Sequence, residues 1–229
     1  MESILTFKNI DYSYNSNTNI LDDISIDFES GKFYTIIGQS GSGKTTFISL
    51  ACGLDSPTSG EIKYKGKSLK SISLEKYRNR YVSIIFQGYN LLNYMSAIEN
   101  ITSAMSIKGI KTNDNKQFAI DMLERVGISK EQGMQKTLTL SGGQQQRVAI
   151  ARALCCDCDL IIADEPTGNL DENTSNEIIS LFKDIVEKEN KTVIMVTHNK
   201  DIAAESDETY LVKNKKLIKV DLNMNNNTK

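Results

Sequence analysis

The stretch FYTIIGQSGSGKT, Phe33 to Thr45, decides the fold. Its first five residues form a nearly continuous apolar and β-branched run, which is typical of a strand covered on both faces. Its last eight residues fit the pattern G-x-x-x-x-G-K-[ST] and lead directly into a helical pattern. A strand, a glycine-rich turn and a helix in this order predict a loop that binds the phosphates of a nucleoside triphosphate.

The residue types of this loop suit that ligand. The glycines at 38, 41 and 43 let the backbone turn so that successive N–H groups point at phosphate oxygens. Lys44 places a positive charge against the β and γ phosphates, and the hydroxyl of Thr45 suits a magnesium ion. The candidate nucleotide-binding residues here are Gly38, Gln39, Ser40, Gly41, Ser42, Gly43, Lys44, Thr45 and Thr46.

Three similar strand runs follow along the chain: YVSIIFQ (81–87), DLIIADE (159–165) and TVIMVTH (192–198). They alternate with helical patterns, which predicts an α/β fold with a parallel sheet and crossover helices. Residues 4–28 and 61–69 alternate in polarity and predict an antiparallel β lobe. Residues 96–130 lack strand runs and predict helices, the last of them stopped by Gly127.

Two adjacent carboxylates end the run DLIIADE. An unpaired charge at the end of a buried strand costs several kcal/mol unless a cation compensates it, so we expect Asp164 to hold a magnesium ion. Glu165 projects in a different direction and is placed to accept a proton from an attacking water. On residue type alone, the alternative is that Glu165 is a surface carboxylate before the turn at Pro166.

A second glycine-containing segment, LSGGQQQR (140–147), runs directly into the helical pattern VAIARALCC. Ser141 by itself serves as an N-cap for such a helix. Glycine inside a helix costs about 1 kcal/mol relative to alanine, so a purely structural helix would favour a bulkier residue at one glycine position. The glycine pair therefore indicates a role beyond capping.

The segments GQSGSGKTT, LSGGQQQR, DLIIADEPTGNLD and VTH, in this order, resemble the ATPase subunit of an ABC transporter over about Leu5 to Lys216. GLDSPTSGEI, IIFQGYNLL and EPTGNLD are further similar to the branch that serves lipoprotein release, macrolide export and antimicrobial-peptide export or resistance. The resemblance implies a P-loop NTPase core, with a RecA-like parallel sheet and flanking helices, plus an antiparallel β lobe and a helical signature subdomain. It also implies one nucleotide-binding domain over 1–229, with the helical subdomain at 88–140.

In the family, the helix that begins at LSGGQQQR is called the signature helix. It contacts the γ phosphate that is held by the partner in a head-to-tail homodimer. A helix N terminus offers unpaired N–H groups and a positive dipole, and glycines let an anion approach the backbone closely. The resemblance thus implies two ATP molecules at the dimer interface. On the signature side, the implied contacts are Ser141, Gly142, Gly143 and Gln144.

Further residues take roles from the same resemblance. Gln87 matches the glutamine that contacts magnesium and the attacking water in relatives. His198, the only histidine of the chain, matches the residue that contacts the γ phosphate. Asp171 matches an aspartate of the dimer interface, and it is also a good N-cap for the following helix. The implied catalytic set is Glu165, His198, Gln87 and Lys44, and the implied magnesium ligands are Thr45, Gln87 and Asp164.

The adenine contact is one of two tyrosines. Strand periodicity places Tyr12 and Tyr14 on the same face, so either ring is suited to stack on a base. The resemblance favours Tyr14. The alternative is a pair of surface tyrosines without a ligand.

The sequence departs from the family pattern where Gln39, Asn93 and Cys158 replace common prolines, and none of these changes removes a reacting group. The apolar residues Leu91, Leu92, Tyr94 and Met95 are expected to serve the helical core and to receive a helix of a membrane subunit. The cysteines at 155, 156 and 158 lack a second ligand pair at zinc-site spacing, which favours reduced, partly buried thiols over a metal site.

Composition narrows the functional classes. A net charge of -2 and a pI of about 5.6 argue against a nucleic-acid partner. No stretch approaches the roughly 18 apolar residues of a spanning helix, so we expect a soluble chain. By resemblance it lies at the cytoplasmic face of the cell membrane, bound to integral permease subunits. The polar tail, 222–229, is expected to be disordered.

Two membrane functions remain open at this stage. One is a transporter subunit that powers export or extraction of a peptide, lipoprotein or drug-like substrate. The other is an ATPase that regulates a membrane protein in cell-wall remodelling or division without moving a substrate. DNA-acting relatives need a long coiled-coil insertion between Lys44 and Leu140, and ribosomal relatives usually carry two ATPase units, whereas this chain has neither feature.

Overall fold

The computed structural model describes residues 2–14 and 19–222. Within these ranges the strands are β1 (Ser3–Ser13), β2 (Asn19–Glu29), β3 (Phe33–Ile37), β4 (Ser59–Tyr64), β5 (Lys67–Ser68), β6 (Val82–Ile85), β7 (Leu160–Asp164), β8 (Thr192–Val196), β9 (Glu208–Lys213) and β10 (Lys216–Val220). The helices are α1 (Lys44–Ala51), α2 (Leu69–Ile72), α3 (Leu74–Arg80), α4 (Ala97–Lys108), α5 (Asn115–Arg125), α6 (Lys130–Gly133), α7 (Gly142–Leu154), α8 (Glu172–Glu189) and α9 (Lys200–Ala204). The predicted disordered tail, 222–229, lies outside the described residues from position 223 onward.

The central sheet has the strand order β10-β9-β3-β8-β7-β6. The four predicted strands β3, β6, β7 and β8 pair in parallel, and β9 also runs parallel to β3. The α/β prediction is therefore confirmed. Strands β9 and β10 were not predicted, because half-exposed positions and lysines interrupt their apolar pattern.

The antiparallel lobe is a second sheet with the order β2-β1-β4-β5. Its two longest strands have 11 residues each, longer than the short strands expected, and register shifts along β1 accommodate their length. Phe47 of α1 stacks on Phe7 with ring centroids 4.7 Å apart and also contacts Phe28. These buried rings anchor the helix that follows the glycine-rich loop against the antiparallel sheet.

The segment between β6 and β7 is helical, as the sequence predicts. Ser96 begins α4 with a capping box, and Gly127 follows α5 with a left-handed φ of +80°. Helix α7 packs against α4, α5 and β6. Because β6 lies three strand positions from β3, the strand against which α7 packs is roughly 14 Å from the strand that precedes the glycine-rich loop.

Among residues 2–14 and 19–222, none of the helices has the length and apolar character needed to cross a membrane.

Candidate active site

The glycine-rich loop joins β3 to α1 and follows the predicted geometry. Gly41 and Gly43 have φ values of +75° and +107°, a region that side chains strongly disfavour. Gly38 has no such φ, but a Cβ there would lie 2.7 Å from Ser42 Oγ. Gly43 is also the N-cap of α1 and has no side chain to cap the helix. The first turn of α1 therefore faces the loop with backbone donors available for an anion.

Two side chains of the loop show how it fits a triphosphate. The Lys44 ammonium donates to the carbonyl oxygens of Gly38 and Gln39, at 2.8 and 2.9 Å, so it is held over the loop. Ser42 Oγ is buried and has no hydrogen-bond partner among the described residues. A buried hydroxyl without a partner is unfavourable, and a phosphate oxygen is a suitable acceptor for it.

The remaining loop residues of the prediction lie at the surface of this site. Gln39, Ser40 and Thr45 are exposed, and Thr46 is buried in the first turn of α1. The exposed Thr45 hydroxyl follows Lys44 directly and is accessible to a ligand. The structure thus brings the predicted loop residues together between the end of β3 and the first turn of α1.

Asp164 and Glu165 diverge at the end of β7. Burial raises the pKa of the Asp164 carboxyl, the Glu165 carboxylate adds to the rise, and the Lys44 ammonium opposes it. Glu165 has a left-handed φ of +44°, and its N–H donates to the Val196 carbonyl of β8 at 3.0 Å. The Glu165 side chain is only 23% exposed, so the alternative of a simple surface carboxylate is wrong.

Three of the predicted catalytic side chains converge at this edge of the sheet. His198 Nδ1 lies 3.4 Å from Glu165 Oε2, and the His198 side chain is 66% exposed. A Cβ at Gly168 would lie 3.1 Å from Gln87 Nε2 and 3.4 Å from Glu165 Oε2. Gly168 therefore leaves the space in which the ends of Gln87 and Glu165 approach each other.

The start of α7 is a capping box. Ser141 Oγ accepts a hydrogen bond from the Gln144 N–H at 3.3 Å, and Gln144 Oε1 accepts one from the Ser141 N–H at 2.8 Å. Both side chains are thus used within the chain.

The glycine pair of α7 also has neighbours in its own chain. A Cβ at Gly142 would lie 3.0 Å from Tyr89 Oη, and a Cβ at Gly143 would lie 2.7 Å from Thr174 Cγ2. Packing against Thr174 therefore gives a structural reason for a small residue at position 143. The expectation that a structural helix would carry a bulkier residue at one of the two glycines stays a prediction for position 142. An additional role in anion binding stays a prediction.

Asp171 is the N-cap of α8, as one of its two predicted roles requires. Its carboxylate accepts hydrogen bonds from the Thr174 N–H at 3.0 Å and from the Thr174 hydroxyl at 2.7 Å. These bonds lower the pKa of the Asp171 carboxyl. Since Thr174 packs on Gly143, the cap places Asp171 beside the start of α7.

The two candidate tyrosines have different environments. Tyr14 is 65% exposed, and its hydroxyl lies 3.2 Å from Thr46 Oγ1, beside the first turn of α1. Tyr12 is 6% exposed and donates a hydrogen bond to Asp55. Their rings meet edge to face at 5.1 Å. Tyr14 is thus available for stacking, and the expectation that Tyr12 could be an exposed base platform or a surface tyrosine is wrong.

The loop after Gln87 depends on a residue that the sequence reasoning missed. Arg152 of α7 donates to the carbonyl oxygens of Asn90 and Tyr89, at 2.5 and 2.8 Å. Tyr89 and Asn90 have φ values of +58° and +49°, so the guanidinium fixes an unfavourable backbone conformation. The signal in the sequence was a charge inside the apolar pattern VAIARAL.

The apolar residues that follow differ in their exposure. Leu91 packs against the core, and Met95 is half-buried, whereas Leu92 and Tyr94 are 41% and 70% exposed. The Asn100 amide fixes the segment by bonding the Leu92 N–H and carbonyl, at 2.8 and 3.1 Å. The segment therefore contributes to the helical core and also presents an apolar surface.

Comparisons with known proteins agree with this geometry. A family model described as ABC transporter matches residues 21–168. The "Uncharacterized ABC transporter ATP-binding protein YclH" of Bacillus subtilis (strain 168) is 58% identical over 206 residues, 90% of this chain and 91% of that protein. The lipoprotein-releasing system ATP-binding protein LolD of Rickettsia bellii (strain RML369-C) is 39% identical over 213 residues, 92% of this chain and 95% of that protein.

Solved structures give the same result. The dimeric structure of a post-hydrolysis state of the ATP-binding cassette MJ0796, bound to ADP and Pi, superposes with a TM-score of 0.86. It is 31% identical in sequence, and the match covers 95% of this chain and 98% of that one.

Proposed function

The chain belongs to the ABC transporter family, and from this premise we propose that it hydrolyses ATP at two composite sites in a homodimer. Its family makes it the ATP-hydrolysing subunit of a transporter. The cassette that it resembles in structure was solved as a dimer with ADP and Pi, which supports the same arrangement here. In this proposal residues 1–229 form one nucleotide-binding domain, with a helical part at 88–140.

The observation that carries the proposal is the convergence of Glu165, His198 and Gln87 at the carboxyl ends of neighbouring strands. Ligands of open α/β sheets bind at this edge. A carboxylate, an imidazole and an amide around one point supply a proton acceptor, a phosphate contact and a water contact. The left-handed backbone at Glu165 accompanies the 3.4 Å approach of its carboxylate to His198 Nδ1.

On the P-loop side, Lys44 exchanges its bonds to the loop carbonyls for the β and γ phosphates. The backbone N–H groups from Gly38 to Thr46 surround the phosphates, and the Ser42 hydroxyl gains the acceptor that it lacks among the residues that the structure describes. Tyr14 stacks on the adenine ring. These contacts bind the nucleotide to one protomer.

On the signature side, the partner's helix N terminus closes the site. Gly142 and Gly143 let its backbone approach the γ phosphate, with Ser141 and Gln144 shaping the first turn. Asp171 lies beside that turn and faces the dimer interface. Two ATP molecules thus draw the protomers together, because each triphosphate contacts both chains.

For the chemical step, Glu165 accepts a proton from the water that attacks the γ phosphate, and Gln87 orients that water. Lys44 and His198 stabilise the charge on the transferred phosphoryl group. Thr45, Gln87 and Asp164 are the residues that would hold Mg²⁺. The burial that raises the pKa of the Asp164 carboxyl supports this role, because a nearby cation offsets the cost of a half-buried carboxylate. When bound, Mg²⁺ supplies positive charge to the phosphate oxygens.

The chain acts with integral permease subunits at the cytoplasmic face of the cell membrane. The exposed Leu92 and Tyr94, close to the strained loop after Gln87, form an apolar surface for a permease helix. A relative in the lipoprotein-releasing system supports export or extraction of a lipoprotein, peptide or drug-like substrate.

The test is affinity capture of tagged Glu165→Gln protein from detergent-solubilised membranes in ATP, followed by mass spectrometry. We expect a co-purifying permease with a substrate path, and its loss from a matched Lys44→Ala capture. Recovery of only a soluble homodimer would contradict the membrane assignment. Recovery of a membrane protein that lacks a substrate path would favour a regulatory ATPase.

A further inference from the structure

The turn that joins α7 to β7 carries three thiols that the proposed ATPase mechanism does not use: Cys155, Cys156 and Cys158. Cys155 Sγ lies 3.8 Å from Cys156 Sγ. Both thiols contact the Arg152 carbonyl oxygen, at 3.0 and 3.4 Å. Within the described part of the chain, no three His, Cys, Asp or Glu side chains are grouped to hold a metal.

The three thiols differ in access to solvent. Cys155 and Cys158 are 2% and 3% exposed, and Cys52, elsewhere in the fold, is 0% exposed. Cys156 is partly exposed. A reagent in solution therefore reaches Cys156 first.

The surroundings of Cys156 favour its thiolate. The Lys108 ammonium of α4 lies 3.5 Å from Cys158 Sγ, and Arg152 lies in the last turn of α7, four residues before Cys156. The hydrogen bond with Cys155, helped by Lys108 and Arg152, lowers the pKa of the Cys156 thiol. The nearby acid, Asp157, is neutralised by Lys191 at 2.7 Å. Thiolates beside cations are the reactive form of cysteine.

We propose that Cys156 is a site of reversible S-thiolation by low-molecular-weight disulfides, and that this modification lowers the ATPase rate. The Cys156 thiolate attacks one sulfur of the disulfide RSSR, a new S–S bond forms, and RS⁻ leaves with the electron pair of the broken bond. Closure to a Cys155–Cys156 disulfide is disfavoured, because adjacent Cα atoms are about 3.8 Å apart and bridged cysteines usually need about 4.4–6.8 Å. Attack by an external thiol on the mixed disulfide restores the Cys156 thiol.

The effect on activity passes through Arg152, and this step rests on the proposed role of Gln87. Cys156 packs partly into the core and contacts the Arg152 carbonyl, so an attached group displaces the last turn of α7. Arg152 then loses its bonds to the carbonyls of Tyr89 and Asn90. These bonds hold the strained loop directly after Gln87, and their loss moves Gln87 from the attacking water.

The site is tested by incubating the purified full-length protein with glutathione disulfide under native conditions and measuring intact mass and modified peptides. We expect one glutathionyl group per chain, located on Cys156, removed by dithiothreitol, and added more slowly as the pH falls and the thiolate is protonated. The matched variant Cys156→Ser should take up none and keep the parental ATPase rate and fold. No uptake by the parent, or uptake at Cys52, Cys155 or Cys158 instead, overturns the site.

The ATPase rate of the modified protein tests the regulatory part. We expect a loss of kcat with nucleotide affinity retained, full recovery in dithiothreitol, and no response of Cys156→Ser to glutathione disulfide. Complete modification of Cys156 with an unchanged kcat overturns the regulation. A parent that hydrolyses no ATP before oxidation contradicts the proposed function and leaves the site to be judged by mass alone.

Discussion

His198 Nδ1 lies 3.4 Å from a carboxylate oxygen of Glu165, although 32 residues separate them in sequence. Strands β7 and β8 are parallel neighbours in which Asp164 pairs with Val196, so the residues that follow both strands emerge at one edge of the sheet. The hydrogen bond from the Glu165 N–H to the Val196 carbonyl holds the backbone that follows β7 against the end of β8. The register of β7 and β8 therefore brings Glu165, the candidate base, next to His198, the candidate phosphate contact.

This relationship predicts the effect of removing the base. Glu165→Gln keeps the shape of the side chain but cannot accept a proton, so kcat should fall by about 10²–10⁴. Lys44 and the loop are untouched, and nucleotide affinity should be retained. Steady-state ATPase assays and equilibrium ATP binding check both parts, and a variant with parental turnover would show that another group accepts the proton.

The sequence predicted this part of the site because residue types suited to catalysis stand directly after predicted strands. Glu165 and His198 each follow an apolar run, and parallel strands end at the same edge. The sequence did not predict Arg152, whose bonds to Tyr89 and Asn90 span more than 60 residues and depend on how α7 packs. It likewise missed β9 and β10, whose half-exposed positions hide their strand pattern.

A second prediction concerns the adenine platform. Tyr14→Ala removes an exposed ring beside α1 and should weaken ATP binding by about 1–3 kcal/mol, the usual contribution of one stacked base. Tyr14→Phe keeps the ring, loses only the contact with Thr46, and serves as the matched control. Calorimetry measures the ATP affinity of each variant. Equal affinities of Tyr14→Ala and the parent would exclude stacking of adenine on Tyr14.

A third prediction separates packing from anion binding at the signature helix. In Gly143→Ala, the new Cβ meets Thr174 Cγ2 at 2.7 Å, and overpacking of this kind should destabilise the fold by about 1–3 kcal/mol. Thr174→Ser removes the methyl group and keeps the hydroxyl that bonds Asp171. The double variant should therefore regain the stability of Thr174→Ser alone, as measured by chemical unfolding.

The ATPase rate of that double variant then reports on the glycine itself. If the backbone of α7 must approach a phosphate, activity should stay low although the fold is restored. A double variant with the activity of Thr174→Ser would mean that Gly143 serves packing only.

A fourth prediction concerns the half-buried Asp164 carboxylate. Folding raises the pKa of this carboxyl above its ordinary value near 3.8. Between these two pKa values the folded state binds more protons than the unfolded state, so the free energy of unfolding falls as the pH rises through this range. Asp164→Asn removes this cost and should raise the free energy of unfolding at neutral pH while abolishing ATP hydrolysis. Denaturant titrations at pH 7 and pH 4 check the sign, and the gain should shrink at the lower pH.

If Asp164→Asn raises the free energy of unfolding equally at both pH values, the gain comes from packing and not from removal of the charge. A loss of stability at pH 7 would contradict the electrostatic account of this position. Added Mg²⁺ and ATP should reverse the order by stabilising the parent more than the variant, because ligands of the folded state add to its stability.

The most direct test of composite ATP sites is the mass in solution, by light scattering, of Glu165→Gln with ATP and Mg²⁺. We expect a particle with twice the 25.5 kDa mass of one chain. Adding Gly142→Asp places a carboxylate opposite the γ phosphate and should leave a monomer that still binds ATP. A monomeric Glu165→Gln protein in saturating ATP, or a dimer that persists with Gly142→Asp, would contradict the account.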